Sequence, residues 1–177
     1  MPTRTQHETD DPPTDTTPES APLTIRPTTA ADGAEMWHLA RGGGLDLNSS
    51  YAYLLYARDF ADTCRVATVD GNVVGFVMAH RPPGRPRSVF VWQVGVSPAA
   101  RGRGVAGRMI EDLLDTLDVD TLEATVTESN GASRALFGSI ARNHGSEVVW
   151  HDFIRTEDFP DGHEAEPLLQ IDLTGRS

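Results

Sequence analysis

The densest chemistry in the sequence lies in the string Val94-Gly95-Val96-Ser97-Pro98-Ala99-Ala100-Arg101-Gly102-Arg103-Gly104-Val105-Ala106-Gly107. An apolar run from Val89 to Val96 leads into a turn where Gly102 and Gly104 stand one residue apart, and a helical apolar period begins at Val105. Glycine lets a backbone come close to a ligand, and the first N–H groups of a helix have no internal acceptor, so such a turn suits phosphate. Arg101, Arg103 and Arg108 add positive charge around it. A bare Gly-x-Gly also describes a tight strand-to-helix connection. The glycines at 102, 104 and 107 match G-x-G-x-x-G as well, a dinucleotide fingerprint that needs a parallel βαβ unit and an acidic residue about 20 positions on, where Glu123 stands. Against that rival, the glycines follow a hairpin-rich region and not an opening strand.

Composition narrows the chemistry further. The chain has 177 residues, the size of one domain, with 15 basic and 26 acidic side chains and a net charge of −11. Every one of those cations is arginine, so no lysine is present to form a Schiff base or act as a base. The acidic balance disfavours a general nucleic-acid partner. One cysteine, Cys64, cannot close an internal disulfide, which fits a reducing compartment. No apolar run reaches the ~18 residues of a membrane span, and none of the first 30 residues forms the core of a signal peptide. His38, His80, His144 and His151 have no ligand spacing with one another, so no metal site is expected.

These groups need a scaffold. Residues 1–22 hold five prolines, six threonines and five acids, and read as a disordered acidic tail. From Leu23 to Leu173 the pattern is globular, with 174–177 as a short C-terminal tail. Strands are expected at 23–26, 64–69, 73–79, 89–96, 122–126, 147–154 and 168–173. Asp70-Gly71-Asn72 makes a hairpin turn between the second and third. Helices are expected at 30–41, stopped by Gly42-Gly43-Gly44, and at 49–62, 105–117 and 131–144. Gly95 suggests a bulge or a close backbone approach. The order β-α-α-β-β-β-α-β-α-β-β describes an α/β (α+β) domain with a mixed sheet and helices on its faces.

The string Val-x-Val-Ser-Pro-x-x-Arg-Gly-x-Gly-Val-Ala, taken with that order over 23–173, resembles the acyl-CoA-binding motif of the GNAT superfamily of N-acetyltransferases. The resemblance implies a mostly antiparallel sheet, a pantetheine arm paired with the backbone of Val94 and Val96, and a pyrophosphate held by the amides of 102–107. It assigns cofactor contacts to Arg101, Gly102, Arg103, Gly104, Val105, Ala106 and Gly107. A second segment, Asn130-Gly131-Ala132-Ser133-Arg134-Ala135-Leu136-Phe137, is similar to the family's N-x-x-A-x-x-L-Y run, placing Asn130 and Phe137 at the thiol end of acetyl-CoA. Phe137 stands where many relatives have a tyrosine that protonates the departing thiolate.

Leu45-Asp46-Leu47-Asn48-Ser49-Ser50-Tyr51 and Phe90-Val91-Trp92-Gln93-Val94, together with 130–137, resemble the L-2,4-diaminobutyrate acetyltransferases of ectoine biosynthesis. That likeness implies acetyl-CoA and L-2,4-diaminobutyrate as substrates, N4-acetyl-L-2,4-diaminobutyrate as product, and a homodimer; the lone cysteine favours the cytoplasm. An acceptor of this kind needs an anion for its 2-ammonium group and donors for its carboxylate. Asp46 is the candidate anion, against a plain loop carboxylate. Asn48 binds substrate or caps the next helix. Tyr51 offers a hydroxyl near the thioester or packs in an amphipathic helix. Trp92 is core packing or a substrate wall, and Gln93 points to the opposite face unless a bulge intervenes. His163 and Glu166 line the substrate site or an exposed polar loop. Val94 carries the oxyanion donor. Glu128 and Ser129 are expected to cap the helix beginning near 130. Two other readings stand beside this one: the same chemistry on another small amine or a protein N-terminus, and an acyl-CoA-binding module without turnover.

Overall fold

The computed structural model describes residues 21–175; the tail expected at 1–22 lies outside the described residues except for its last two positions, as do 176 and 177 of the C-terminal tail. Among the described residues seven strands form one sheet. In chain order they are β1 (Thr24–Pro27), β2 (Arg65–Val69), β3 (Asn72–His80), β4 (Ser88–Val96), β5 (Thr121–Thr125), β6 (Val148–Ile154) and β7 (Glu166–Asp172). Their order across the sheet is β1-β2-β3-β4-β5-β7-β6. All neighbours run antiparallel except β4 and β5, which are parallel and joined by a helix. The mixed, mostly antiparallel sheet with helices on both faces is the expected fold class.

Helices α1 (Gly33–Gly43) and α2 (Ser50–Asp59) cover one face, where Met36, Ala40, Tyr53 and Ala57 pack on Val66, Phe76 and Met78. Helices α3 (Val105–Thr116) and α4 (Gly131–Asn143) cover the other. In α3 the residues Val105, Met109, Ile110, Leu113 and Leu114 are all buried, the stripe that a 3.6-residue period presents to a sheet. Each such side chain contributes roughly 1.5–3 kcal/mol of burial. Helix ends differ from expectation in instructive ways. The first helix opens with a 3-10 turn at Ala30–Asp32, and the glycine run stops it only at Gly44, which takes the left-handed conformation. Asn130, not Glu128 or Ser129, caps α4 through its Oδ1, which accepts from the N–H of Ser133 at 3.0 Å. Likewise Ser49 caps α2. Turn residues Asp70 and Gly71 both have positive φ, the backbone of a type I′ hairpin turn.

Two irregularities in β4 position the site. First, Met78 pairs with Gln93 but Ala79 pairs with Val91, so Trp92 is an extra residue and forms a bulge. Trp92 and Gln93 therefore face the same way, toward α2, and Val94 and Val96 turn their side chains to the α3 core. Gly95 is the close approach and not the bulge: a Cβ there would lie 2.4 Å from Cε1 of Phe76 and 2.9 Å from Cδ1 of Leu45. Second, β4 and β5 pair only from Ser88–Thr121 to Val91–Ala124, and β4 continues to Val96 paired with β3 but not with β5.

Candidate active site

The unpaired end of β4 exposes peptide groups. Ser97 donates its N–H to the carbonyl of Val74 on β3 at 2.8 Å, so by the strand's two-residue alternation the peptide groups of Val96 and Val94 face the other way, into the gap beside β5. This is an open strand edge against which an extended amide-containing chain can lie. The edge leads to the glycine turn. Gly102 and Gly104 have φ of +75° and +69°, a conformation that carries strain for a residue with a Cβ. The first helical bond of α3 runs from Arg108 N–H to Gly104 O, which leaves the amides of Val105, Ala106 and Gly107 free of helical acceptors and pointing at the gap. The dipole of α3 adds to their positive potential.

Two cavities meet on this edge. A groove of about 440 Å³ is lined by Val94, Val96, Arg101, Gly102, Gly104, Val105, Ala106, Gly107 and Asn130. A second cavity of about 460 Å³ lies on the other side of Val94 and brings together Asp46, Asn48, Trp92, Gln93, Val94, Asn130, Phe137, His163 and Glu166. Leu45, Val94, Asn130 and Ser133 belong to both. Of the residues singled out in the sequence, Arg103 is exposed and lines neither cavity, and Tyr51, at the first turn of α2, is 69% exposed and also lies outside both. Arg101 lines the groove, but its guanidinium is a tie between loops: Nε donates to Val96 O at 3.2 Å and one terminal nitrogen donates to Gly43 O at 2.8 Å. Arg108 faces a separate groove between α3 and α4, beside Glu111, Asp112 and Asp115.

The second cavity gathers charged groups from three separate segments. Asp46 comes from the loop after α1, Glu166 from the start of β7, and His163 from the loop between β6 and β7. The pKa of His163 is raised, first because its ring bonds the Glu164 carbonyl and then because Glu166, Asp46 and Asp161 place negative charge around it. Trp92 walls the cavity and rests on Tyr56, ring centroids 4.9 Å apart. Phe137 is 3% exposed and brings no proton.

Several contacts here were not legible in the sequence. The buried hydroxyl of Tyr53 donates to Oε1 of Gln93 at 2.8 Å, and Nε2 of Gln93 donates to the backbone carbonyl of Asp46 at 2.7 Å. Ser129, expected as a cap, instead gives its N–H and hydroxyl to the two carboxylate oxygens of Glu164, tying the β6–β7 loop to the entrance of α4. Glu123, the acid a dinucleotide fold would need for ribose, is fully buried and held by Arg85 and Gln170. Among the described residues no group of three or more His, Cys, Asp or Glu could hold a metal ion, and no helix is long and apolar enough to cross a membrane.

A splayed strand edge that ends in a phosphate-ready helix turn, beside a second cavity that carries carboxylates and shares Val94 with the groove, is the layout of an acyl-CoA-dependent N-acyltransferase. The model of the acetyltransferase (GNAT) family matches residues 34–140. The chain is 44% identical over 151 residues to the L-2,4-diaminobutyric acid acetyltransferase of Nocardia farcinica, covering 83% of this chain and 78% of that one. It is 45% identical over 147 residues to the corresponding enzyme of Marinococcus halophilus, covering 81% and 86%. The diaminobutyrate acetyltransferase EctA of Paenibacillus lautus, solved with L-2,4-diaminobutyric acid and coenzyme A, superposes with a TM-score of 0.82 at 40% identity, over 86% of this chain and 95% of that one. The chain belongs to the GNAT acetyltransferases and, within them, to the L-2,4-diaminobutyric acid acetyltransferases.

Proposed function

We propose that this protein transfers the acetyl group of acetyl-CoA to the 4-amino nitrogen of L-2,4-diaminobutyrate, giving N4-acetyl-L-2,4-diaminobutyrate, the acetylated diamine of ectoine biosynthesis, and coenzyme A. The observation that carries the reading is the meeting at Val94 of a phosphate-ready groove and an acidic cavity, in a chain whose relatives are named for this reaction. Acetyl-CoA lies with its pyrophosphate on the amides of 102–107 and its pantetheine arm along Val94 and Val96. The thioester then sits at the mouth of the acceptor cavity, where the Val94 N–H stabilises the oxyanion of the tetrahedral intermediate.

In the cavity Asp46 takes the 2-ammonium group, and Asn48, Trp92, His163 and Glu166 complete the acceptor's surroundings. His163, kept cationic to higher pH by its neighbours, suits the acceptor carboxylate. The 4-ammonium group loses a proton before attack, and once neutral it is aimed at the thioester carbon by these contacts. As the tetrahedral intermediate collapses, its nitrogen gives up one more proton, and because Phe137 has none to give, the coenzyme leaves as its thiolate with that proton going to water, or as its thiol once water has relayed that proton to sulfur. Residues 23–173 form the catalytic unit, and the acidic tail at 1–22 takes no part in the chemistry. The protein works in the cytoplasm as a homodimer; the exposed Leu47, just before α2, and Tyr51 and Leu54 in its first turns support a self-contact there.

Thiol release from acetyl-CoA by the purified protein tests the substrate. Release is expected to depend on L-2,4-diaminobutyrate and to be far slower with polyamines, aminoglycosides and peptide N-termini. Equal turnover of such amines would remove the acceptor assignment, and acetyl-CoA binding without any release would reduce the protein to a binding module.

A further inference from the structure

We propose that Tyr53 and Gln93 are positioning residues that set where Asp46 stands in the acceptor cavity; this rests on the reading of Asp46 as the partner of the 2-ammonium group. Asp46 lies in the irregular stretch between α1 and α2, whose two ends are fixed differently. At one end Arg101 holds Gly43 O. At Asp46 itself the backbone carbonyl is held by Gln93 Nε2 at 2.7 Å, and Gln93 is in turn held by Tyr53 at 2.8 Å.

The polarity of this chain is forced. A backbone carbonyl only accepts, so the amide nitrogen of Gln93 must face Asp46, which leaves Oε1 toward Tyr53 and makes the phenol the donor. A reversed amide would set two oxygens against each other. Tyr53 is an unmoving reference: it is fully buried, and its ring meets Phe76 edge-on at 5.9 Å. The Trp92 bulge is what lets Gln93 reach α2 and the loop at once, because without it Gln93 would face α3. The Asp46 carboxylate is thereby referenced to the α1–α2 core through two short hydrogen bonds, and Asp46 recognises the acceptor while Tyr53 and Gln93 fix its height.

Steady-state kinetics on Asp46→Ala, Tyr53→Phe, Gln93→Glu and the double variant Asp46→Ala/Tyr53→Phe test this. Asp46→Ala is expected to raise KM for L-2,4-diaminobutyrate by about tenfold to a hundredfold, the worth of a charge-assisted bond. Tyr53→Phe, which keeps the ring and its packing, is expected to raise the same KM by about three- to tenfold and leave KM for acetyl-CoA within about twofold. Gln93→Glu still accepts from Tyr53 but cannot donate to the Asp46 carbonyl, and is expected to raise it at least as much. In the Asp46→Ala background, Tyr53→Phe is expected to add less than about twofold, because the group it positions is gone. Additive effects in the double variant, an unchanged KM for diaminobutyrate in Tyr53→Phe and Gln93→Glu, or equal rises for both substrates would overturn the proposal. If Asp46→Ala itself leaves KM for the diamine unchanged, the fault lies with the reading of Asp46 and not with the hydrogen-bonded chain.

Discussion

Asp32 and Asp46 are both short carboxylates near helix ends, and the side chains around them give them different work. Asp32 is 6% exposed and accepts from Arg26 at 2.7 and 2.8 Å and from the N–H and hydroxyl of Thr29. These donors, the Arg26 guanidinium foremost, hold its pKa below the ordinary 3.8. A carboxyl whose folded pKa is depressed contributes stability that is fully present above its unfolded pKa and lost as pH falls through the folded value. Asp32→Asn is therefore expected to cost about 1–2 kcal/mol in urea unfolding at neutral pH, in the range of a lost cap, with the gap to the unmodified protein closing below pH 3.8. A gap that stayed constant down to acid pH would show that Asp32 stabilises by shape and not by charge. The partners of Asp32, Arg26 and Thr29, lie within six residues of it, so its surroundings are set locally. Asp46 was legible as a candidate only through the resemblance of its neighbours, since the groups it shares a cavity with, His163 and Glu166, lie more than a hundred positions along the chain. Tyr51, in the same matching segment, stands on the first turn of α2 and is 69% exposed.

Helices, hairpin and glycine turn were readable element by element because each is specified locally. An apolar stripe fixes the buried face of α3, Asp70-Gly71 fixes the hairpin, and Gly102 and Gly104 supply the left-handed backbone that the turn into α3 needs. The devices that complete the site are set by pairing between distant strands. Nothing in Phe90-Val91-Trp92-Gln93 announces that Trp92 is the extra residue, since the bulge exists only relative to Met78 and Ala79 on β3. The Ser129–Glu164 tie spans 35 residues and displaced the expected helix cap for the same reason. At this scale the glycine turn offers the sharpest test. Gly104→Glu puts a carboxylate where the pyrophosphate is proposed to rest, and it does so at a position with φ of +69°. Acetyl-CoA binding by calorimetry is expected to fall below detection, while the fold loses only about 1–2 kcal/mol for the strained backbone. Undiminished affinity would move the cofactor elsewhere.

Across the whole molecule, the sheet separates two jobs. In the proposed reaction the α3–α4 face and the open end of β4 are the cofactor side, and the α1–α2 loop and the β6–β7 loop border the acceptor side. The net charge of −11 first argued only against polyanion partners. In the fold it has a local counterpart: the proposed acceptor cavity holds Asp46 and Glu166, as a diamine requires, and the proposed pyrophosphate site offers backbone amides and a helix dipole, with Arg101 tied to Gly43 and Val96 and Arg103 exposed beside it. The homodimer is expected to sediment at twice the chain mass of 19.2 kDa, and sedimentation at a single chain mass would remove it. The most direct test of the proposed reaction is the position of the new amide. Proton and carbon NMR of the product from acetyl-CoA and L-2,4-diaminobutyrate is expected to show acetylation on the 4-nitrogen alone, with one equivalent of coenzyme A released. Acetylation at the 2-nitrogen, or a mixture of the two, would contradict an acceptor held by its 2-ammonium group with its 4-amine at Val94.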